Sequence, residues 1–166
     1  MRHAHAANPG FGARDHSRVL TGRGILEAQH MGKIMRDRNW QPKRVIASNA
    51  SRTTQTAQQV VASFSAKIPL ETTEKLYLAT ASDILSLVQE ISDDIRSVLI
   101  VAHNPGIHSL AMMLADEGKT ADHRLLLKDF PPGSLVVLDF QAESWLDIRS
   151  RTGTLRATLT PPDNLL

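Results

Sequence analysis

The sequence contains no cysteine among its 166 residues. This absence excludes a disulfide-stabilised scaffold, a zinc site built from thiolates and a cysteine nucleophile, and it is compatible with a reducing compartment. Long apolar runs are missing as well. The longest, such as VLIVA at 98–102 and LVVLDF at 135–140, are far too short to cross a bilayer. We therefore expect a soluble cytoplasmic protein that does not bind membranes.

Charge of one sign is also scarce, since the formal net charge is only +2. This balance argues against nucleic acid as a partner. No repeat, low-complexity segment or linker divides the chain, and its length fits one compact domain. We predict a single domain over residues 1–166, with about 161–166 as a flexible tail, and the sequence leaves the oligomeric state open.

The apolar periodicity predicts alternating helices and strands. Four segments carry an apolar stripe at helical spacing: 22–38, 51–64, 82–91 with Ser82 as its cap, and 106–116. Two short β-branched runs are typical of strands buried on both faces: 44–48 and 97–102. Three later runs have the spacing of hairpin-linked strands at one sheet edge: 134–140, 144–150 and 154–160. Together they predict an α/β fold with a mostly parallel central sheet.

Basic and imidazole side chains follow the two buried strands, at the edge where parallel sheets bind ligands. One strand leads directly into His103, and the other leads through SNAS into Arg52 in the first turn of a helix. A cation at a helix N-terminus is unfavourable by roughly 0.3–1 kcal/mol unless an anion binds beside it. If Arg2 and His3 also lie at a strand end, two arginines and two histidines surround one site for a dianion such as phosphoryl.

The opening MRHAHA admits three interpretations: an expression-tag remnant, a metal-binding terminus, and the first piece of an active site. A free amine followed by Met-Arg-His could chelate copper or nickel, and His5 adds another imidazole. That interpretation leaves the later sequence blocks unexplained.

Four blocks in a fixed order resemble the histidine phosphatase superfamily: RHA at 2–4, LTGRG at 20–24, SNASRTTQTA at 48–57 and VAHNP at 101–105. More narrowly, RHAHA, DHSRVLTGRG, EKLYLA, VAHNPG, FPPGSLVVLDF and LTPPDNLL resemble the short SixA-like phosphohistidine phosphatases. The resemblance covers essentially the whole chain. It implies a phosphoglycerate mutase-like, three-layer α/β/α sandwich.

The resemblance also implies roles for single residues. His3 becomes the nucleophile of a covalent phosphohistidine intermediate, and Arg2, Arg52 and His103 hold the phosphoryl oxygens. Asn104 and His5 are expected among the substrate-binding residues. No metal or cofactor is expected, because the cations take the place of magnesium.

The proton donor stays open between two carboxylates, Asp15 and Glu74, either of which could instead orient Arg18 or Arg52. The stretch between Arg52 and His103 is short and leaves little room for a lid. An open site suits phosphohistidine on a protein such as a phosphorelay domain, whereas small esters favour enclosed pockets. A small-molecule phosphomonoesterase and a catalytically silent phosphoprotein-binding module are the alternatives.

Members of the superfamily carry an apolar strand before the RH motif, whereas here only Met1 precedes it. We therefore expect the strand that carries His3 to be largely missing, which leaves an unpaired edge in the middle of the sheet. Restoring apolar residues ahead of Met1 is expected to raise stability and turnover.

Overall fold

A computed structural model describes residues 1–10 and 14–165. Its helices are α1 (Gly22–Asp37), α2 (Ser51–Val61), α3 (Ala81–Gln89), α4 (Gly106–Leu114) and α5 (Ala121–Lys128). Its strands are β1 (Arg44–Ser48), β2 (Leu70–Thr73), β3 (Val98–Val101), β4 (Leu135–Phe140) and β5 (Gly153–Leu159). Within the described ranges, no helix is long and apolar enough to span a membrane. Leu166, the last residue of the predicted tail, lies outside the described residues.

The parallel part of the sheet has β1 at its centre. β1 pairs in parallel with β2 on one side and with β3 on the other, with Ile46 opposite Ile100. β4 and β5 form a separate antiparallel pair. The first residues of the chain lie between the two groups: Arg2 forms a parallel bridge with Ala102, and its N–H donates to the Ser134 carbonyl at 2.9 Å.

Alternation along the strands sends apolar side chains to both faces of the sheet. Val45 and Leu99 pack with Met31 and Val60, which belong to α1 and α2. The neighbouring strand positions join a second cluster with α3 and α4, which comprises Ile46, Ile84, Ile100 and Leu110 among others. The sheet is therefore covered by helices on both faces, and the predicted α/β class and mostly parallel sheet are confirmed.

The prediction of a strand at 144–150 is wrong. Trp145–Asp147 is a 3-10 turn, so Trp145 and Ile148 come to the same side instead of alternating. The Trp145 indole donates to the Ile95 carbonyl at 2.7 Å, and Ile148 is buried in the core. β4 therefore pairs directly with β5.

Two elements were not predicted, and one cap was misplaced. β2 has the polar sequence LETT at the sheet edge, and α5 is a short helix whose N-cap Thr120 accepts from the His123 N–H. α3 begins after Thr80, which forms a reciprocal capping box with Asp83, so Ser82 is not its cap.

Candidate active site

The main chain of His3 is held between the two strand groups. Its N–H donates to the Ala102 carbonyl at 3.1 Å, and its carbonyl accepts from the Gly133 N–H at 2.9 Å. Ala102 directly follows β3, so the His3 side chain starts at the carboxyl edge of the parallel sheet. This is the edge at which ligands of α/β proteins bind.

Hydrogen bonds fix which ring nitrogen of His3 carries the proton. Nδ1 lies 2.8 Å from the Ala4 carbonyl oxygen. Because a carbonyl can only accept, Nδ1 must hold the hydrogen, and Nε2 keeps its lone pair. The Arg52 Nε donates to this Nε2 at 3.3 Å. Burial, with the charges of Arg52 and Arg2, lowers the pKa of His3 to about 4, so the ring is neutral near pH 7.

Arg52 is the hub of the site and is only 3% exposed. Besides His3, its guanidinium contacts His103 Nδ1 through Nη2 at 3.2 Å. Nη2 also donates to Asp15 Oδ2 at 2.9 Å, and Nη1 donates to the Asp15 carbonyl at 2.7 Å. A buried cation in the first turn of α2 is thus clamped by three groups.

His103 is held in the opposite tautomer. Arg52 Nη2 can only donate, so His103 Nδ1 accepts, and its Nε2 donates to Ser48 Oγ at 2.9 Å. The ring centroid lies 5.3 Å from that of His3. Burial and the charge of Arg52 lower the pKa of His103 to about 3. Both imidazoles are therefore neutral near pH 7.

Arg2 and Asn104 share a main-chain anchor. The Phe130 carbonyl accepts from Arg2 Nη1 at 2.8 Å and from Asn104 Nδ2 at 3.1 Å. Arg2 Nε and Asn104 Oδ1 are buried without a hydrogen-bond partner among residues 1–10 and 14–165. A buried donor left unpaired costs free energy, and an anion in the site would satisfy the guanidinium.

Asp15 faces cations. In addition to Arg52, it accepts from Arg18 Nη1 at 3.0 Å and from the Tyr77 hydroxyl at 2.9 Å. The hydrogen bond from Arg18 is the main reason why the pKa of Asp15 falls to about 2. Of the two alternatives that the sequence left open for Asp15, this geometry favours orientation of Arg52 over proton donation.

Glu74 lies apart from this network. It begins the 3-10 turn Glu74–Leu76, and its side chain is exposed. In the described part of the chain, no hydrogen bond joins its carboxylate to His3, Arg52 or His103. Glu74 directly follows β2 at the carboxyl edge of the sheet, but in the described residues it takes no part in the hydrogen bonds that join the other predicted site residues.

His5 is bound to α1 through the buried carboxylate of Glu27, which the sequence did not predict as part of the site. Glu27 is fully buried and accepts from the His5 N–H at 3.0 Å. Its other oxygen lies 2.5 Å from His5 Nδ1 and accepts from Arg23 Nε at 2.9 Å. A glutamate on the apolar stripe of α1 was the available signal. In the hydrogen bonds of the described residues, the His5 ring contacts Glu27 and neither Arg2 nor Arg52.

Two further sequence blocks, LTGRG and SNASRTTQTA, position the first residues of the chain by contact. Thr21 caps α1, and its N–H donates to the His5 carbonyl at 3.0 Å. Gly24 is needed there because a Cβ would lie 2.0 Å from the same carbonyl oxygen. From α2, Thr56 Oγ1 accepts from the Ala4 N–H at 3.0 Å. The LTGRG and SNASRTTQTA blocks therefore hold the loop that carries His3 in place.

Two further groups of the site, the Tyr77 side chain and the Phe130 carbonyl, were not predicted from the sequence. Tyr77 reaches Asp15 and packs edge-on against His103, with ring centroids 5.4 Å apart. As the one tyrosine of the chain, it offered a usable signal. The Phe130 anchor offered none, because its functional atom is a main-chain oxygen.

The donor atoms of the copper or nickel chelate considered above make other hydrogen bonds. The Met1 amino group donates to the Ile100 carbonyl at 2.8 Å, and His3 Nδ1 is bound to the Ala4 carbonyl. In the part of the chain that the structure describes, no group of three or more His, Cys, Asp or Glu side chains could hold a metal ion.

Comparison with known proteins agrees with this fold, although no protein-family model matches the chain. An uncharacterized protein of Mycobacterium leprae is 31% identical over 166 residues, covering 97% of this chain and 99% of that protein. A solved SixA-type structure from Agrobacterium tumefaciens is 30% identical with a TM-score of 0.79, covering 97% and 95%. The chain belongs to the histidine phosphatase superfamily.

Within the superfamily, the likeness is to the SixA type. The SixA-type structure from Nakamurella multipartitia superposes with a TM-score of 0.83 at 26% identity, covering 97% of this chain and 93% of that one. The three-layer arrangement is thus the phosphoglycerate mutase-like fold that the sequence predicted.

Proposed function

We propose that this histidine phosphatase hydrolyses phosphohistidine on a protein, such as a phosphorelay domain, through a covalent intermediate on His3. One observation carries the proposal: the lone pair of His3 Nε2 is held against Arg52 while the Nδ1 proton is bound to the Ala4 carbonyl. A neutral imidazole of fixed tautomer beside fixed positive charge suits in-line attack on a phosphoryl group.

In the first step, His3 Nε2 forms a bond to phosphorus while the phosphorus–nitrogen bond of the substrate breaks. The departing imidazole keeps the electron pair of that bond and takes a proton from water. Arg52 and Arg2 stabilise the charge on the transferring oxygens. His3 Nδ1 keeps its proton throughout, and its hydrogen bond to the Ala4 carbonyl stabilises the positive charge that develops on the ring.

In the second step, water attacks phosphorus and the bond to His3 Nε2 breaks. One water proton is released to solvent, inorganic phosphate leaves, and Nε2 regains its lone pair. His103, fixed by Ser48 and Arg52, lies close enough to His3 to donate a hydrogen bond to a phosphoryl oxygen after a change of tautomer.

The two carboxylates take different parts in this proposal. Asp15 is a positioning residue, because its ionised side chain orients the Arg52 guanidinium. Glu74, exposed and outside the network, has no part in cleavage of phosphohistidine. An imidazole leaving group needs less acid assistance than an alkoxide, which supports a protein phosphohistidine over a small alkyl ester as the substrate.

Activity is proposed to be metal-independent, since Arg2 and Arg52 already supply the charge that magnesium brings to kinases. Turnover in excess EDTA should equal turnover in buffer. Full inhibition by EDTA that added metal reverses would contradict this mechanism.

The substrate class can be tested with three phosphate donors: a phosphorylated histidine-containing phosphotransfer domain, an aryl phosphate and a sugar phosphate. The protein donor should have the highest kcat/KM. Protein quenched at alkaline pH should carry one acid-labile phosphate, mapped to His3 by peptide sequencing. Faster hydrolysis of the sugar phosphate would favour the small-molecule esterase, and binding without turnover would favour the silent module.

A further inference from the structure

Tyr77 lies at the carboxyl edge of the sheet, in contact with two imidazole rings. Its ring packs edge-on against His103 and His16, with centroids 5.4 Å and 4.9 Å away. Both imidazoles are held from the end of β1: His103 Nε2 donates to Ser48 Oγ at 2.9 Å, and His16 Nε2 lies 2.8 Å from Asn49 Oδ1. Two consecutive residues at one strand end therefore hold the two rings against which Tyr77 packs.

The hydroxyl and one face of Tyr77 are directed at the groups that would hold phosphate. The hydroxyl donates to Asp15 Oδ2 at 2.9 Å, the same oxygen that accepts from Arg52 Nη2. The Arg52 Cζ lies over the ring at 6.0 Å from its centroid, the outer limit of a cation–π contact. Among the ring contacts of the described residues, none joins Tyr77 to His3. Tyr77 therefore borders the phosphoryl position from the side of the cation.

The leaving group of the proposed reaction needs a place away from the nucleophile. In-line transfer puts the leaving atom opposite His3 Nε2, across phosphorus, while the arginines hold the equatorial oxygens. A ring in the wall beyond Arg52 is a surface on which a planar leaving group can pack, because aromatic pairs gain from offset stacking or edge-to-face contact. A leaving group without a ring gains no such contact.

Leu78 extends this surface and has an unfavourable backbone conformation. Its φ is 51°, in the left-handed region that favours glycine, and the residue is 59% exposed. Tyr77, before it, packs on His103. Ala79, after it, places its carbonyl oxygen where a Cβ on Gly106 would lie 1.9 Å away. Leu78 thus projects outward between two residues that contact the site edge, and strain at such a place indicates a role in function.

We propose that Tyr77 is a specificity-determining residue for planar leaving groups, and that Leu78 contacts the polypeptide around the phosphorylated ring. The inference rests on the proposed function, in which the phosphoryl group is carried by an imidazole. That imidazole packs against the Tyr77 ring while its bond to phosphorus breaks. Preference for phosphohistidine then has two sources: the low demand of imidazole for acid assistance, and this contact with its ring.

A matched pair of small donors isolates the contact with the ring. Phosphoimidazole and phosphoramidate both contain a phosphorus–nitrogen bond, but only the first has a planar leaving group. Tyr77→Leu and Tyr77→Met should lower the ratio of their kcat/KM values about five- to tenfold. Tyr77→Phe loses the hydroxyl bond to Asp15 and keeps the ring, so both values should fall while their ratio stays within about twofold of the parent chain.

The ratio separates this role from a structural one, which would lower both donors equally. Lys75→Ala, in the 3-10 turn before Tyr77, removes an exposed ion pair with Glu90 and is the matched control, with an unchanged ratio expected. An unchanged ratio in Tyr77→Leu and Tyr77→Met would overturn the proposal. The same conclusion would follow if Tyr77→Phe lowered the ratio as much as Tyr77→Leu.

Leu78→Gly tests the rest of the surface with a change that the backbone favours. Glycine adopts a φ of 51° readily, so Tm should not fall. The kcat/KM for a phosphorylated phosphotransfer domain should fall about fivefold, because an apolar contact is lost, while that for phosphoimidazole should be unchanged. An unchanged kcat/KM on the protein donor would overturn the role of Leu78. Failure of the parent chain to hydrolyse any protein donor would contradict the proposed function and the role of Leu78, whereas the ratio of the two small donors decides on Tyr77 separately.

Discussion

A groove of about 650 Å³ lies between β3 and β4, and its two ends are built in opposite ways. At the carboxyl end, His3, Arg52 and His103 hold one another through hydrogen bonds from rings, guanidinium and main chain. At the amino end, apolar edges face the groove and a single buried amine contacts Ile100. His3, the proposed nucleophile, is therefore oriented mainly by side chains of α2 and by the turn before β4.

At the carboxyl end, the largest expected loss of turnover comes from removing the proposed nucleophile, His3. His3→Ala should lower hydrolysis of an aryl phosphate to below about one thousandth of the original kcat, since deleting a nucleophile removes the covalent route. His30→Ala, on α1, is the matched control and should retain activity. If His3→Ala kept most of its turnover, another group would have to be the nucleophile. Above about pH 7, where the His3 ring is neutral in both the folded and the unfolded chain, the Tm of this variant should stay close to that of the parent chain.

Substitution of Arg52 should have the next largest effect on kcat. Arg52→Ala should lower kcat about a hundredfold or more, because one preorganised charge-stabilising donor is worth roughly 3 kcal/mol in comparable sites. Arg52→Lys should recover only part of this loss, because an ammonium cannot bridge two oxygens as a planar guanidinium does. Arg44→Ala, which removes an exposed ion pair with Glu71, is the control. A loss below threefold would place Arg52 outside the phosphate pocket.

The two ends should also differ in how they titrate. The folded-state pKa values of His3 (about 4) and His103 (about 3) lie below the ordinary histidine value near 6.5, and that of the Met1 amine (about 5) lies below its usual 8.0. In these intervals the unfolded chain binds more protons than the folded chain, so stability rises with pH. The imidazoles contribute from about pH 3 to 6.5 and the amine from about pH 5 to 8.

Tm should therefore increase from pH 5 to pH 8. His3→Ala should flatten the lower part of this rise, and adding residues ahead of Met1 should flatten the part above pH 6.5, because an amide then replaces the Met1 amine. A Tm that is constant or falls from pH 5 to 7 would show that neither group is held neutral by the fold.

The smallest effect separates the two carboxylates. Glu74→Gln should change kcat on phosphohistidine by less than about threefold, whereas Asp15→Asn should cost about tenfold because Arg52 loses a charged anchor. Measuring both variants against phosphohistidine and aryl phosphate tests the assignment. A large loss in Glu74→Gln, with the alkaline or acid limb of the pH profile shifted, would make Glu74 the proton donor after all.

The sequence predicted those parts of the molecule that short-range patterns determine. β1 and the turns after β1 and β3 follow from short apolar runs that end in polar residues, and these turns deliver Arg52 and His103 to one edge. The segment at 144–150 was mispredicted because its apolar residues suit a strand as well as a tight turn, and only the core around Ile148 decides between them.

The roles of the carboxylates could not be read from the chain, because they depend on distances between segments far apart in sequence. Asp15 meets Arg52 across 37 positions and Tyr77 across 62.

The Phe130 carbonyl has a consequence for how this site can be dissected. Side-chain scanning at position 130 would remove the ring, which stacks on His108 at 4.9 Å, and would leave the oxygen that anchors Arg2 and Asn104 untouched. A comparison of the sequences of relatives would not detect this anchor either, because every amino acid has the same main-chain carbonyl oxygen. Only backbone chemistry, such as a thioamide in place of the residue 130 carbonyl made by semisynthesis, would weaken that acceptor and expose what it contributes.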